Sequence, residues 1–197
     1  SYDTDADECD ATLNFVATST DNCGVASTEY SVDGTPITFP YDFPTGTTTV
    51  DVLVTDVNTN TSTCSFDVTV IDNQVPVVTC PTPALSYDTD ADECDATLNF
   101  VATSTDNCGV ASTEYSVDGT PITFPYDFPT GTTTVDVLVT DVNSNTSTCS
   151  FDVTVVDNQV PVVTCPTPAA SYDTDADECD ATLNFVATST DNCGVAS

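Results

Sequence analysis

The residues best suited to chemistry in this sequence are carboxylates that recur at alternate positions. Residues 2–10 hold five acidic side chains, and the same segment returns at residues 87–95 and 172–180. Alternating aspartates in a loop point their oxygens toward a common centre, as Ca²⁺ requires, although neither the glycine nor the helices of an EF-hand are present. We therefore predict Ca²⁺ ligands here, with a solvated acidic turn as the alternative. The predicted ligands are Asp3, Asp5 and Asp7, and in the second copy Asp88, Asp90 and Asp92.

A second set of oxygen ligands lies in predicted turns and in the segments between repeats. Asp141 and Asn143 belong to a hairpin turn, Asp106 lies in a loop, and Asp72 and Asp157 each follow the last predicted strand of a repeat. If consecutive repeats stack end to end, the acidic segment and Asp72 of one repeat would lie near Asp106 and Asp141 of the next. Carboxylates gathered without a cationic side chain repel one another unless a metal ion neutralises them. We therefore expect Ca²⁺ at these junctions, where it would stiffen the array.

The composition excludes several classes of function. Of 197 residues, 32 are acidic and none is lysine, arginine or histidine, which gives a formal charge of −32. Nucleic acid and anionic membranes are disfavoured as partners, because both are bound through basic groups. A strongly acidic composition is typical of disordered chains. Here, however, hydrophobic residues make up 39% of the chain and follow regular patterns, which indicates that the chain folds. No apolar run is long enough for membrane insertion, and the lack of tryptophan and of basic groups argues against an enzyme.

The cysteines indicate a compartment and a structural role. Ten cysteines in this chain are typical of an oxidising, extracellular environment, in which disulfides form and persist. Zinc is disfavoured, because there is no histidine and no C-x-x-C spacing. A redox-active thiolate would need that spacing or a neighbouring cation, and the sequence offers neither.

The sequence repeats with a period of 85 residues, since the same text begins at Ser1, Ser86 and Ser171. A unit of this length is too long for a solenoid repeat and fits one small sandwich domain. The linker contains a proline and no Gly/Ser run, so consecutive domains should stack as a semi-rigid rod. We predict a partial domain at 1–74 without its first strand, a complete domain at 75–159, and the first strands of another at 160–197.

Alternation of apolar and polar residues predicts β-strands and no helix. The clearest element is a hairpin at residues 43–72, whose alternating valines would face the core. Residues 96–102 are predicted to form one strand, and Asp118-Gly119 is a strong hairpin-turn signal. Prolines between residues 121 and 129 indicate edge strands.

Three motifs in order along the repeat carry a family resemblance: F-P-x-G-T-T-T-V, then T-C-S-F-x-V-T-V-x-D, then P-x-x-x-C-P. Together they resemble the HYR, or hyalin repeat, module of secreted and surface proteins. The resemblance covers the whole repeat and implies tandem immunoglobulin-like β-sandwich domains of about seven strands each, used for adhesion. The tandem, acidic, cysteine-bearing arrangement resembles bacterial surface arrays such as gliding-motility adhesins.

The implied sandwich suggests one disulfide pairing. In immunoglobulin-like domains part of the first strand lies parallel to the last, which would bring Cys80 beside Cys149. Cys94 would then pair with Cys108, although these two residues flank a strand of about 23 Å and need the following loop to fold back. The corresponding disulfide cysteines of the first copy are Cys9 and Cys23.

An alternative pairing crosses the boundary between repeats. Cys108 would bond to Cys149 within one repeat, and Cys94 would bond to Cys165 at the start of the following copy. This scheme would link neighbouring repeats covalently. Four cysteines per repeat allow several connectivities, and the sequence alone does not choose among them.

These features predict the structural or adhesive region of a long extracellular surface filament, held by disulfides and stiffened by Ca²⁺. Its partners would be neighbouring copies of the same repeat and a surface or glycan ligand. If the resemblance to gliding-motility adhesins holds, the filament would serve surface motility. The alternative is a passive spacer that carries a secreted enzyme or a carbohydrate-binding domain.

Overall fold

The computed structural model describes residues 1–196, and this part of the chain forms β-strands and no helix. The predicted all-β class is therefore confirmed. Accordingly, the described residues contain no helix with the length and apolarity needed to cross a membrane. The strands of the first repeat are β1 (Tyr2–Asp3), β2 (Asp10–Leu13), β3 (Val25–Val32), β4 (Thr35–Ile37), β5 (Tyr41–Pro44), β6 (Gly46–Asp56) and β7 (Thr61–Ile71). The following strands are β8 (Val77–Thr79), β9 (Tyr87–Asp88), β10 (Asp95–Leu98), β11 (Thr103–Thr105), β12 (Val110–Val117), β13 (Thr120–Ile122), β14 (Tyr126–Pro129), β15 (Gly131–Asp141), β16 (Thr146–Val156), β17 (Val162–Thr164) and β18 (Thr188–Thr190).

Internal contacts divide the chain into two compact units, each made of three separate segments. Unit 1 consists of Ser1–Thr79, Ala102–Glu114 and Val137–Cys149. Unit 2 consists of Cys80–Val101, Tyr115–Asp136 and Ser150–Ser197. Each unit therefore combines residues from successive copies of the repeat, whereas the domain boundaries drawn from the repeat itself stay a prediction.

Two layers of strands enclose the core of the first repeat. The larger sheet has the order β1-β7-β6-β3-β4, in which β1 runs parallel to β7 and the other neighbours are antiparallel. The smaller layer is the antiparallel pair β2–β5. Ala11 and Phe43 of this pair form one buried cluster with Val50, Val68 and Val70 of the larger sheet. The second repeat has the same strand orders, β13-β12-β15-β16-β9 and β10-β14.

Aromatic rings fill the space beside these valines. Phe15 makes edge-to-face contacts with four rings at centroid distances of 5.3 to 6.0 Å, those of Tyr2, Phe39, Phe43 and Phe66. Phe100 repeats the arrangement over the same range of distances, with Tyr87, Phe124, Phe128 and Phe151. Edge-to-face pairs stabilise a core beyond the area that they bury. A single phenylalanine per repeat thus organises the aromatic part of each core.

The predicted hairpin at residues 43–72 is confirmed. β6 and β7 form an antiparallel ladder, and Val50 and Val52 on its inner face are buried. The Asp118-Gly119 turn also has the predicted form, with φ values of 48° and 75° at its two central residues. A type I′ turn requires positive φ at both positions, which Asp-Gly accommodates well.

The single strand predicted over residues 96–102 is wrong. β10 (Asp95–Leu98) pairs with β14, and β11 (Thr103–Thr105) pairs with a different strand, β8. Ala96 and Ala102 are nevertheless both buried, as the alternation predicted. Alternating burial requires only an extended backbone, whereas a strand also needs a hydrogen-bonded partner, which periodicity does not specify.

We predict that Phe43→Ala lowers the free energy of unfolding by about 3–5 kcal/mol, the usual cost of truncating a fully buried phenylalanine. Phe43 has no exposed surface and contacts both layers. Urea unfolding followed by tyrosine fluorescence measures the change. The matched control is Val16→Ala, at a side chain 83% exposed, which should change stability by less than about 0.5 kcal/mol. Equal effects of the two substitutions would contradict this description of the core.

Candidate metal centre

The acidic segment forms a tight turn in which the predicted alternation is lost. The Asp5 N–H donates to the Asp10 carbonyl at 2.7 Å, and the Glu8 N–H donates to the Asp5 carbonyl at 3.2 Å. Asp7 lies in the left-handed region, with φ of 63°. Alternate side chains share a face only on an extended backbone, so this turn does not gather alternate aspartates.

The predicted ligands of this segment go to different places. Asp3 accepts a hydrogen bond from the Asn73 side chain at 2.8 Å, and Asp5 accepts one from the Thr12 backbone N–H at 2.8 Å. Asp7 is exposed. Asp5 has a ligand oxygen within 4.8 Å of those of Glu8 and Asp10, a grouping that the alternation did not predict.

The second copy repeats this local arrangement. Asp88 accepts from the Asn158 side chain at 2.6 Å, and Asp90 accepts from the Thr97 backbone N–H at 2.8 Å. Asp92 is exposed, with φ of 62°. The solvated acidic turn, which was the alternative to a Ca²⁺ loop, describes most of this segment.

A second group of carboxylates is buried. Asp72, Asp106 and Asp141 each offer an oxygen, and these atoms lie within 4.8 Å of one another in unit 1. Asp72 directly follows β7, Asp106 directly follows β11, and Asp141 is the last residue of β15. Only 4% of Asp72 and 2% of Asp141 are exposed to solvent. Three strand ends thus bring together three of the predicted ligands.

Each of the three aspartates uses one oxygen to hold its own local backbone. Asp141 Oδ1 accepts from the backbone N–H groups of Asn143 and Asn145, both at 2.8 Å. Asp106 Oδ1 accepts from the N–H groups of two following residues at 2.9 and 3.0 Å, and Asp72 Oδ1 accepts from the Gln74 N–H at 3.0 Å. These bonds fix the carboxylates in place, since each turn would otherwise leave its amides unpaired.

The opposite oxygens of two of these aspartates have no such partner. Asp72 Oδ2 and Asp106 Oδ2 are buried and accept no hydrogen bond within the described chain, and the same holds for the Asn107 amide oxygen. Burying an unpaired polar atom is costly, and the chain has no basic side chain to offset the charge. The arrangement therefore presents several oxygen ligands and no protein counter-charge, which is the chemistry of a hard-cation site.

Two asparagine side chains, those of Asn107 and Asn145, lie beside these aspartates. The Asn107 side chain donates to the Glu8 carbonyl at 2.8 Å, which fixes the orientation of its amide. The Asn145 side chain donates to Asp141 at 2.8 Å and to the Asp72 carbonyl at 3.1 Å. Asn143, which was predicted as a ligand, is exposed and gives Asp141 its backbone N–H.

The predicted disulfide pairings of Cys94 and Cys108 are wrong in both schemes. Cys9 bonds to Cys108, with Cα atoms 4.6 Å apart, and Cys94 bonds to Cys193, with Cα atoms 4.7 Å apart. Cys80 and Cys149 are also disulfide-bonded. The exposed cysteines with free thiols among the described residues are Cys23, Cys64, Cys165 and Cys179.

The reason for the different pairing is the turn that holds Asp5 and Asp10 together. It presents Cys9 beside the segment that follows β11 in the next copy, where Asn107 also contacts the Glu8 carbonyl. The Cys9–Cys108 and Cys94–Cys193 disulfides therefore join successive copies of the repeat, but through other pairs of cysteines than the boundary-crossing alternative named. Cys23, predicted to bond within its repeat, is free.

Part of this group of polar residues recurs in unit 2. Asp157 Oδ1 accepts from the Gln159 N–H at 2.9 Å, as Asp72 does from Gln74. The Asn192 side chain donates to the Glu93 carbonyl at 2.7 Å, and its amide oxygen is buried without a hydrogen bond in the described chain. Asp191 is the counterpart of Asp106, but a counterpart of Asp141 would need position 226, beyond the 197 residues of this sequence.

Asp56, the first-copy counterpart of Asp141, has a perturbed acidity. The hydrogen bond from the Asn60 side chain, at 2.7 Å, lowers the pKa of Asp56 below its ordinary value of 3.8. Backbone N–H groups of Asn60 and Asn58 act in the same direction, and desolvation opposes them. Because the folded-state pKa is the lower one, these bonds stabilise the turn above the unfolded pKa. That stabilisation is lost as the pH falls through the folded pKa.

Asn60→Ala should raise the pKa of Asp56 toward its ordinary value, because the substitution removes the largest of the contributions that lower it. NMR titration of the Asp56 carboxyl carbon measures the change. Asn58→Ala is the matched control, since Asn58 contributes only its backbone N–H and the substitution retains that group. Equal pKa shifts in the two variants would contradict the assignment.

Comparison with known proteins gives one family and several relatives. Residues 71–155 match the HYR domain family. The chain is similar to the "Serine-rich adhesin for platelets" of Staphylococcus aureus strain USA300, at 29% identity over 174 residues, which cover 78% of this chain and 7% of the relative. It is also similar to "Hyalin" of Lytechinus variegatus, at 34% identity over 158 residues, covering 77% of this chain and 28% of the relative. The chain thus spans less than a third of these relatives.

Solved structures of low overall similarity were also found. The fibronectin(III)-like modules of Clostridium thermocellum CbhA align with a TM-score of 0.37 at 19% identity, over 79% of this chain and 90% of theirs. The extracellular cadherin domains 1–4 of protocadherin Gamma B7 align with a TM-score of 0.35 at 17% identity, over 85% of this chain and 50% of theirs.

Proposed function

We propose that this chain is a load-bearing, adhesive repeat region of an extracellular surface filament. The HYR match and the similarity to an adhesin and to hyalin support the adhesive setting. The disulfides support an extracellular location, since they persist in oxidising compartments. The resemblance of the acidic tandem repeats to gliding-motility adhesins favours surface motility as the setting. Ca²⁺ bound by the acidic side chains would stiffen the array.

The overlap of two disulfide loops supports the proposed load-bearing role. The loop closed by Cys9–Cys108 and the loop closed by Cys94–Cys193 share residues 94–108. A pull on the two ends of the chain therefore follows a short covalent path from residue 9 to 108, back to 94 and on to 193. Most of the chain lies outside this path and bears none of the sustained load.

The covalent path limits how far the chain can be stretched. It contains about 26 residue steps, so its fully extended length is about 100 Å, whereas the unlinked chain would reach about 700 Å. Disulfide links that reach from copy to copy would impose the same limit along a longer array. Such an array would transmit force without lengthening, even if individual strands separated.

Single-molecule force spectroscopy tests the load-bearing role on the full chain held at its two ends. The oxidised chain should stop extending at about 100 Å, and Cys9→Ser, which opens the first loop, should extend to about 340 Å. Cys23→Ser is the matched control and should behave as wild type, because Cys23 is free. A long extension of the oxidised wild-type chain would exclude the load-bearing role.

Attachment of cells that make the protein separates an adhesive role from a passive spacer. Antibody fragments raised against the chain should label intact cells and reduce their attachment to a surface. Non-immune fragments at the same concentration are the control. Labelling without any effect on attachment would favour the spacer, and no labelling of intact cells would contradict the surface location.

A further inference from the structure

The geometry points to one divalent cation, Ca²⁺ in preference to other ions, bound by Asp72, Asp106 and Asp141. This assignment rests on the proposed stiffening of the array by Ca²⁺ and gives it a particular site. The Asn107 amide nitrogen lies 3.5 Å from Asp72 Oδ1, and the amide oxygen of this side chain would add a neutral ligand. The site combines Asp72 of the first copy with Asp106 and Asp141 of the second, so the bound ion would link two copies of the repeat.

The near-complete burial of Asp72 and Asp141 distinguishes this site from the acidic turns, whose carboxylates all stay at least partly exposed. Asp72 is 96% removed from solvent, yet its Oδ2 accepts no hydrogen bond among the described residues. Asp106 Oδ2 and Asn107 Oδ1 are likewise buried and accept no hydrogen bond among the described residues. A cation supplies the missing partner of all three atoms at once. Asp5, Glu8 and Asp10 also approach one another, and Asp10 Oδ1 is buried without a hydrogen bond. Glu8 is exposed, however, and Asp5 and Asp10 are partly exposed, so water can solvate this group.

The donor atoms select the class of cation. Oxygen donors suit hard cations, and the nearest sulfur atoms, those of Cys9 and Cys108, are committed to a disulfide. Ca²⁺ binds oxygens at about 2.3–2.6 Å, so oxygens on opposite sides of the ion are about 4.6–5.2 Å apart. One oxygen of each aspartate lies within 4.8 Å of the others, so a single ion of this size can contact all three residues. Mg²⁺ needs a smaller, strictly octahedral shell at about 2.1 Å.

The surroundings hold the ligands in place before the ion arrives. Backbone N–H groups fix one oxygen of each aspartate, and the Asn107 amide is fixed by its bond to the Glu8 carbonyl. The Cys9–Cys108 disulfide lies one residue beyond Asn107 and ties the acidic segment to it. A site fixed in this way loses little conformational entropy on binding.

The counterpart group, with Asp157 of the second copy and Asp191 of the third, provides an internal control. A test polypeptide of residues 1–197 contains these two ligands and no residue at the third position. A carboxylate pair attracts Ca²⁺ more weakly than a trio, since affinity follows the number of charged ligands. The chain should therefore bind one Ca²⁺ much more tightly than any other.

Calorimetric titration of the oxidised full chain with Ca²⁺ tests the assignment. Wild type should bind one tight equivalent, and Asp72→Asn should weaken it at least about tenfold, because it removes a charged ligand. An asparagine at this position retains an oxygen that can accept the Gln74 N–H. Asp157→Asn, the matched substitution in the second copy, should leave the tight equivalent unchanged. Equal affinities of wild type and Asp72→Asn would overturn the site.

Thermal unfolding gives a second readout that a purely structural aspartate would not produce. With chelator, Asp72→Asn should melt at or above the wild-type temperature, since it relieves repulsion among buried carboxylates. With saturating Ca²⁺ the order should reverse, because only wild type gains the full binding energy. A variant that melts lower than wild type by the same amount in both conditions would contradict the proposal. Asp106→Asn replaces Asp72→Asn in both measurements if Asp72→Asn does not fold, because its side chain also keeps an oxygen that can accept the backbone N–H groups.

Titration with Mg²⁺ tests the choice of ion, and equal affinity for Mg²⁺ and Ca²⁺ would overturn it. The outcome is separable from the proposed function, because the limit on extension depends on the disulfides alone. If the oxidised chain stops extending at about 100 Å but binds no Ca²⁺, the load-bearing role stands and the metal site is wrong.

Discussion

Electrostatic repulsion without any opposing side-chain charge is the constraint on which this structure depends. With 32 acidic residues and no basic one, the chain has no salt bridge between side chains to use. Its carboxylates are held instead by neutral donors. Asp106 and Asp141 accept from backbone N–H groups, and Asp67 accepts from the Thr49 hydroxyl at 2.7 Å. Hydrogen bonds of this kind orient a carboxylate but leave its charge in place.

Apolar packing and disulfides supply the cohesion that charge pairs cannot. Each repeat packs valines from its hairpin against a phenylalanine on the opposite layer, and one central phenylalanine contacts four further rings. The disulfides then restrict the unfolded chain, which raises stability without adding any polar contact. These two sources are insensitive to the number of negative charges on the surface, so the acidic composition is compatible with a compact fold.

One short segment connects the covalent and the electrostatic features. Asp106, Asn107 and Cys108 are consecutive, and they respectively contribute a buried carboxylate, an amide fixed against the acidic turn, and a disulfide to Cys9. Asn192 and Cys193 of the third copy make the corresponding contacts with Glu93 and Cys94 of the second copy. Because the same contacts recur with the period of the repeat, each copy depends on residues that another copy supplies. A copy considered alone would leave those partners missing.

The sequence by itself determined the class of fold and the local elements. Period-two alternation predicts the strands of the 43–72 hairpin, and Asp118-Gly119 predicts the tight turn between β12 and β13, because both follow from the geometry of neighbouring residues. It also singled out Asp72, Asp106 and Asp141, although among eleven candidates. Only the tertiary structure decided which candidates meet, that Cys9 bonds to Cys108, and that the strand predicted over residues 96–102 ends at Leu98. Those outcomes depend on the direction of turns and on contacts between residues 34 to 99 positions apart, which no local pattern encodes.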